Sequence, residues 1–245
     1  MFPVLYRLYN YCWAFKKVTS MELYAFISYQ TEDKHVAGRI KDILDSIGIV
    51  SFLAHEDINV SEEWRLKILE ELEKTNIFIS LLSQHYYTSP WCVQESGIAA
   101  FRNDMTIIPL SIDGSIPQGF VSNIQSTKIN PDQVKITDLI PGLVKHDFKK
   151  GTDEIIKIIG GSMSFRIAEA NFQLIFPYLG SLSDEQMRTL LEKAAENGQV
   201  HHATLCAKEY IPPILETHGH LLSQEKREIL AGICEQYLEH KREDK

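Results

Sequence analysis

Four short apolar runs, each followed by a stretch with helical periodicity, are the strongest constraint on what this chain can fold into. The runs are LYAFIS (23–28), IVSFL (49–53), IFISLLS (77–83) and TIIPLSI (106–112). Short, nearly continuous apolar runs of this kind are expected of strands buried on both faces of a parallel sheet. After the first run, Val36, Ile40, Ile43, Leu44 and Ile47 form one helical stripe, and Gly48 is placed to cap its C-terminus. After the second run and a polar loop (54–60), Ser61 with Glu62 and Glu63 is expected to open a helix whose buried side is Trp64, Ile68, Leu69 and Leu72. The third run leads through QHYYT to Ser89 and Pro90, an N-cap followed by proline at the first helical position. The segment IQSTKIN (124–130) is a candidate fifth strand. Strands alternating with helices require crossover connections, so the expected fold class is α/β, a doubly wound parallel sheet. Pro109 withholds a ladder donor from the fourth strand, which is therefore expected near the sheet edge.

The pattern changes after Gly151. Gly160-Gly161-Ser162 reads as a hinge, and beyond it the strand signal disappears. Ser183 to Gln186 has the form of a capping box, followed by a stripe of Met187, Leu190, Leu191, Ala194 and Ala195. A second stripe comprises Ile229, Leu230, Ile233, Cys234, Tyr237 and Leu238. The expected division is a sheet domain over residues 21–150 and a small all-helical domain over 162–240. The helices must bury their stripes against one another, against the sheet domain or against another copy of the chain. Residues 1–20 are aromatic but interrupted by Arg7 and Asn10, too polar for a spanning helix and wrongly ordered for a secretory signal. They read as an N-terminal arm, or as an extension upstream of a start at Met21.

The 245 residues carry a net charge of −8, with 15 basic against 18 acidic residues up to position 150 and 10 against 15 beyond it. Neither part offers the positive field that grips a phosphate backbone, so no direct nucleic-acid partner is expected, and no membrane partner either. Cys12, Cys92, Cys206 and Cys234 are widely spaced and form no CxxC, as expected of reduced thiols in a cytoplasmic protein. No G-x-S-x-G elbow or glycine-rich phosphate loop occurs. His201-His202 and His218-Gly219-His220 lack the i, i+4 spacing of a helical metal pair, so no metal site is expected.

In a doubly wound sheet, ligands bind beyond the carboxyl ends of the strands. That nominates the loops 29–33, 54–60 and 83–90. Trp91 and Glu95 stand four apart at the start of the third helix, so an aromatic plane and a carboxylate would share a face, a pairing suited to a flat cation. A core Trp and an ordinary helical Glu would satisfy the same spacing.

The string Tyr24 to Tyr29 with Glu32 and Asp33, the Gly48 to Phe52 strand, the S-x-x-Y-x-x-S-x-W-C-x-x-E run from Ser83 to Glu95, and IIPL at 107–110 together resemble a bacterial Toll/interleukin-1 receptor (TIR) domain over roughly residues 22–135. The resemblance implies a flavodoxin-like fold, and proline is common in the fourth strand of the family. Many bacterial and plant members cleave NAD between nicotinamide and ribose, giving nicotinamide and ADP-ribose or a cyclic product, in immune or antiphage defence and upon assembly. The family's catalytic glutamate, in a W-x-x-x-E arrangement, matches Glu95, with Trp91 at the nicotinamide end. Tyr29, Gln30 and Thr31 after the first strand and His55, Asp57 and Asn59 after the second would frame the dinucleotide. NAD would be a substrate, with no cofactor. This chain departs from relatives that place Arg beside the first strand or Lys in the second loop. Phosphate binding would then fall to backbone amides, another residue or a neighbouring copy. Self-association through the TIR domain, with the helical region as a further candidate, is implied. The alternative function is a non-enzymatic TIR–TIR adaptor.

Overall fold

A computed structural model describes residues 23–54 and 63–243. The N-terminal segment 1–20 with Cys12, the loop residues His55, Asp57 and Asn59, and the expected cap Ser61 with Glu62 lie outside the described residues. Five strands, β1 (Tyr24–Ser28), β2 (Val50–Leu53), β3 (Ile77–Leu82), β4 (Thr106–Ser111) and β5 (Thr127–Lys128), form one parallel sheet in the order β2-β1-β3-β4-β5. This is the flavodoxin-like order. The helices α1 (Lys34–Ser46), α2 (Trp64–Lys74) and α3 (Pro90–Phe101) follow the first three strands, and α4 (Ile140–His146) follows β5.

The apolar runs split by residue parity, because successive side chains of a strand point to opposite faces. Ala25, Ile27, Ile77, Ile79, Ile108 and Leu110 belong to a cluster with Ile40 and Leu44 of α1 and Leu143 of α4. Phe26, Phe52 and Phe78 belong to the other, with Ile68 and Leu72 of α2 and Ala99 of α3. Phe26 stacks on Phe78 at 5.8 Å. Each such side chain, when fully buried, contributes about 1.5–3 kcal/mol of transfer free energy, which is why the continuous runs hold a sheet covered on both sides. Leu69, expected in the buried stripe of α2, is 41% exposed, since it stands one residue round the helix from Ile68.

Gly48 turns the chain out of α1 with φ of 69°, a left-handed conformation that a Cβ would strain. Pro109 sits one strand in from the edge. Thr106 and Ile112 direct their N–H groups toward the β3 side, while the carbonyl of Ser111 accepts from Ile129 on the β5 side. The missing donor of Pro109 therefore faces β5, where pairing begins only at Leu110 with Thr127.

The helices α5 (Phe148–Gly160), α6 (Phe165–Ile175), α7 (Asp184–Glu196), α8 (Gly198–His201), α9 (Ile211–His218) and α10 (Gln224–Glu243) build a second layer. Its core contains Ile155 and Ile159 of α5, Phe172 of α6, Leu190 and Leu191 of α7, and Leu230 of α10. Ile140 and Val144 of α4 join the same cluster, so α4 is packed by the sheet on one side and by the helical layer on the other. Ser183 and Gln186 form the expected capping box, and the stripe after it is buried. In α10 the stripe is narrower than its sequence suggests, with Leu230 and Cys234 buried and Ile229 and Leu238 about 40% exposed.

The expected hinge, Gly160 to Ser162, is pinned. Asn197 Nδ2 donates to the carbonyls of Gly160 and Ser162, both at 2.9 Å, and Asn171 Nδ2 donates to Ser162 Oγ at 3.0 Å. The half-buried Asn197 amide thus satisfies carbonyls at the end of α5 that the helix itself leaves open. Cys92, Cys206 and Cys234 are free and buried. Among the described residues, no helix is long and apolar enough to cross a membrane.

Candidate active site

The chain leaves β1 toward β2 on one side, while β3 and β4 lie on the other. The strand order thus reverses at the carboxyl ends of β1 and β3, where such sheets place their ligand crevice. Ser28 ends β1 with the same parity as Phe26 and so points to the face covered by α3. Ser80 of β3 pairs with it in register.

The start of α3 is fixed by Ser89, whose Oγ accepts from the N–H of Cys92 at 3.3 Å, and by Pro90 in the first turn. One and a half turns later, Glu95 reaches the end of β1. Ser28 Oγ donates to Glu95 Oε2 at 2.5 Å. The residue is 2% exposed, and Oε1 has no hydrogen-bond partner. Burial raises the Glu95 pKa from 4.5 to about 7, against the Ser28 hydrogen bond, which favours the carboxylate. Near neutral pH this group is therefore divided between its two protonation states.

Ser28 Oγ also lies 2.9 Å from Tyr86 Oη, which lies 2.8 Å from Ser96 Oγ and 3.2 Å from the carbonyl oxygen of Cys92. Cys92 Sγ donates to the carbonyl of Tyr29 at 3.4 Å, tying α3 to the turn after β1. Burial pushes the Cys92 thiol up to about 11 and the Tyr86 phenol well above its ordinary value. Both stay neutral at physiological pH, leaving Glu95 as the member of this cluster that titrates there. A second cluster braces the surrounding loops. Asp33 Oδ2 accepts from Ser83 Oγ at 2.6 Å, Ser83 Oγ accepts from the N–H of Tyr86 at 3.1 Å, and Asp113 Oδ2 accepts from the N–H of Gln84 at 2.8 Å.

Trp91 lies one turn before Glu95 on α3 and is 38% exposed. Tyr29 is 1% exposed and packs within the sheet core, so Gln30 and Thr31 are the accessible residues of its turn. Gln30 uses its side-chain oxygen to accept from the N–H of Thr31 at 2.7 Å, capping the short turn that follows. A cavity of about 470 Å³ lies on the far side of Ser96, between α3 and residues 118–121, lined by Tyr87, Val93, Ser96, Gly97, Phe120 and Val121. Glu95 itself does not line it. Ser28 lies in the Tyr24 to Tyr29 string and Tyr86 is the tyrosine of the S-x-x-Y-x-x-S-x-W-C-x-x-E run, but the sequence assigns neither a place beside Glu95. The parity of Ser28 with Phe26 is the available signal for the first, and the motif marks the second without showing what it touches.

The family model described as "TIR domain" matches residues 25–140. No curated protein matches the chain. Among solved structures, the chain is similar to the TIR domain of the Toll-related receptor TRR-2 from Hydra magnipapillata. The identity is 19%, over 52% of this chain and 96% of that one, with a TM-score of 0.41.

Proposed function

Residues 25–140 being a TIR domain, a family that includes NAD-cleaving enzymes and non-enzymatic adaptors, we propose that this protein cleaves the nicotinamide–ribose bond of NAD, with Glu95 as the catalytic carboxylate. One observation carries the reading. At the switch point of the sheet, a buried carboxylate is held through one oxygen by Ser28 while its other oxygen has no partner. Leaving a buried acceptor unpaired costs about 1–3 kcal/mol, and such exceptions in a native fold call for a reason beyond packing.

The chemistry suits a lone acid. Nicotinamide departs from a cationic pyridinium as a neutral molecule and needs no proton. The ribose left behind develops oxocarbenium character, which an ionised carboxylate stabilises or which it serves by orienting a ribose hydroxyl. Trp91 offers a ring face to the departing pyridine. Water then attacks the sugar carbon to give ADP-ribose, or a group of the same nucleotide closes a cyclic product. At 2% exposure Glu95 is closed to a dinucleotide in the arrangement described, so turnover requires the wall over it to shift. We assign that shift to assembly of several copies, and the role to defence signalling.

Because only the ionised form acts, kcat/KM is expected to rise about tenfold per pH unit below the Glu95 pKa and to level off above about 7. Following nicotinamide release from NAD by chromatography between pH 5.5 and 8.5 checks this. A profile already flat from pH 5.5 assigns the chemistry to another group.

A second reading, recruitment of another TIR domain without turnover, is favoured by a different observation. Val93 and Phe120 are exposed in the lining of the α3 cavity, Phe120 at 88%, and Trp91 and Ile116 are further exposed apolar residues of α3 and of the segment after β4. On that reading Phe120→Asp weakens association at least tenfold by sedimentation or light scattering, whereas Glu95→Gln leaves association unchanged. Association insensitive to Phe120→Asp excludes this face as the contact.

A further inference from the structure

We propose that Ser96, Tyr86 and Ser28 form a directed chain of hydroxyl donors that ends on Glu95, holds its carboxylate in place, and connects its protonation to the cavity beside α3. The inference builds on the reading of Glu95 as the catalytic carboxylate, and the three hydroxyl residues are positioning residues within it.

The direction of the chain follows from counting protons. A hydroxyl has one proton to donate. Ser28 spends its proton on Glu95 Oε2 at 2.5 Å, so its 2.9 Å contact with Tyr86 has the phenol as donor. Tyr86 has then spent its own proton, so the 2.8 Å contact with Ser96 has Ser96 as donor. The carbonyl of Cys92, 3.2 Å from Tyr86 Oη, is the longer and competing acceptor for the phenol. Tyr86 favours Ser28 while Glu95 is ionised, because a hydroxyl that donates to a carboxylate is itself a better acceptor. Tyr86 is fully buried and Ser28 likewise, whereas Ser96 is half-buried and lines the cavity of about 470 Å³. The chain thus begins where water has access and ends on a carboxylate that is nearly sealed.

Protonation of Glu95 reverses it. A hydronium in the cavity gives a proton to Ser96 Oγ, the proton of Ser96 passes to Tyr86, that of Tyr86 to Ser28, and that of Ser28 to Glu95 Oε2. Four O–H bonds form and four break, the hydronium becomes water, and the carboxylate becomes a neutral acid. Afterwards every donor points toward the cavity. The other titratable groups facing Glu95 are Tyr86 from the segment before α3 and Cys92 from α3 itself, both held neutral by burial, while β1 and β3 present the uncharged Ser28 and Ser80 on this face.

The test is a titration of the Glu95 carboxyl by carbon-13 NMR in the full, ligand-free chain, with the signal assigned by its loss in Glu95→Gln. Tyr86→Phe cuts the chain without changing its bulk, and is expected to move the Glu95 midpoint upward by about one pH unit, roughly a tenfold change in the ionisation constant, since Ser28 without the Tyr86 donor is a weaker donor to the carboxylate. Ser96→Ala moves it upward by less, and Ser96→Thr restores the original midpoint. Combining Tyr86→Phe with Ser96→Ala gives no more than Tyr86→Phe alone, because Ser96 acts through Tyr86. A midpoint that ignores Tyr86→Phe, or shifts that add, overturns the proposal. If Tyr86→Phe does not fold, Ser96→Ala and its Thr rescue decide alone, and an unmoved midpoint in Ser96→Ala is then the contrary result. No NAD enters the titration. A protein that never releases nicotinamide but shows these midpoints therefore defeats the enzymatic reading and leaves the chain standing.

Discussion

Glu95→Gln is expected to yield a protein more stable than the wild type at pH 8 and equal to it at pH 4. The side chains have the same shape, so the difference lies in the charge. In the folded state burial raises the Glu95 pKa to about 7, from 4.5 for an unperturbed glutamate. Below pH 4.5 the acid is neutral in folded and unfolded chains alike, and no penalty exists. Between 4.5 and 7 the unfolded chain loses its proton first, so the unfolded state gains and the wild type loses stability as pH rises. Above 7 both states are ionised, and the cost of the buried charge is present in full, on the order of 3 kcal/mol at about 1.4 kcal/mol per pH unit. Urea unfolding of both proteins at pH 4, 6 and 8 measures the gap. A constant gap across that range means that Glu95 titrates normally in the folded chain. The same substitution is expected to lower NAD turnover by at least about a hundredfold to a thousandfold, the usual effect of removing one preorganised electrostatic group. A residue that destabilises the fold in the form that works is what a functional site leads one to expect.

Gly151→Ala is expected to destabilise the protein by about 3 kcal/mol, the upper part of the range for forcing a methyl group into a packed contact. A Cβ at Gly151 would lie 2.6 Å from the backbone N and Cα of Val144. Backbone cannot swing aside as a side chain can, so α5 must move off α4. That contact joins the two layers, because α4 packs on the sheet and α5 on the helices. Gly142 reports the same closeness on the other side of α4, where a Cβ would meet the Ile108 side chain. Differential scanning calorimetry is expected to show the Gly151→Ala melting point lowered, with the loss concentrated in the helical layer. An unchanged melting point would show that the close approach of α4 and α5 is not part of the stable fold.

How far the structure could be read from sequence depends on the distance over which each signal acts. The parity of LYAFIS and IFISLLS, the left-handed turn at Gly48, the Ser89-Pro90 helix start and the Ser183 to Gln186 capping box are decided within a few residues, and each stands where its local chemistry places it. The Ser28 to Glu95 bond joins residues 67 apart, and only the sheet order brings them together. Helical spacing put Trp91 and Glu95 on one face. It does not show that the buried stripe of α3 runs through Cys92, Glu95 and Ala99, which leaves Trp91 at 38% exposure and Glu95 at 2%. The same limit applies to Gly160-Gly161, which as a dipeptide suggests freedom. The amides of Asn171 and Asn197 that pin the segment come from α6 and the turn after α7.

Whether the Glu95 carboxylate breaks the nicotinamide–ribose bond is decided by the nicotinamide formed from NAD by assembled wild-type protein and by Glu95→Gln brought to the same assembly state at pH 8. Steady release by the wild type and background release by the variant is the predicted result. Equal release by the two, or none from an assembled wild type, would show that Glu95 is not the catalytic carboxylate.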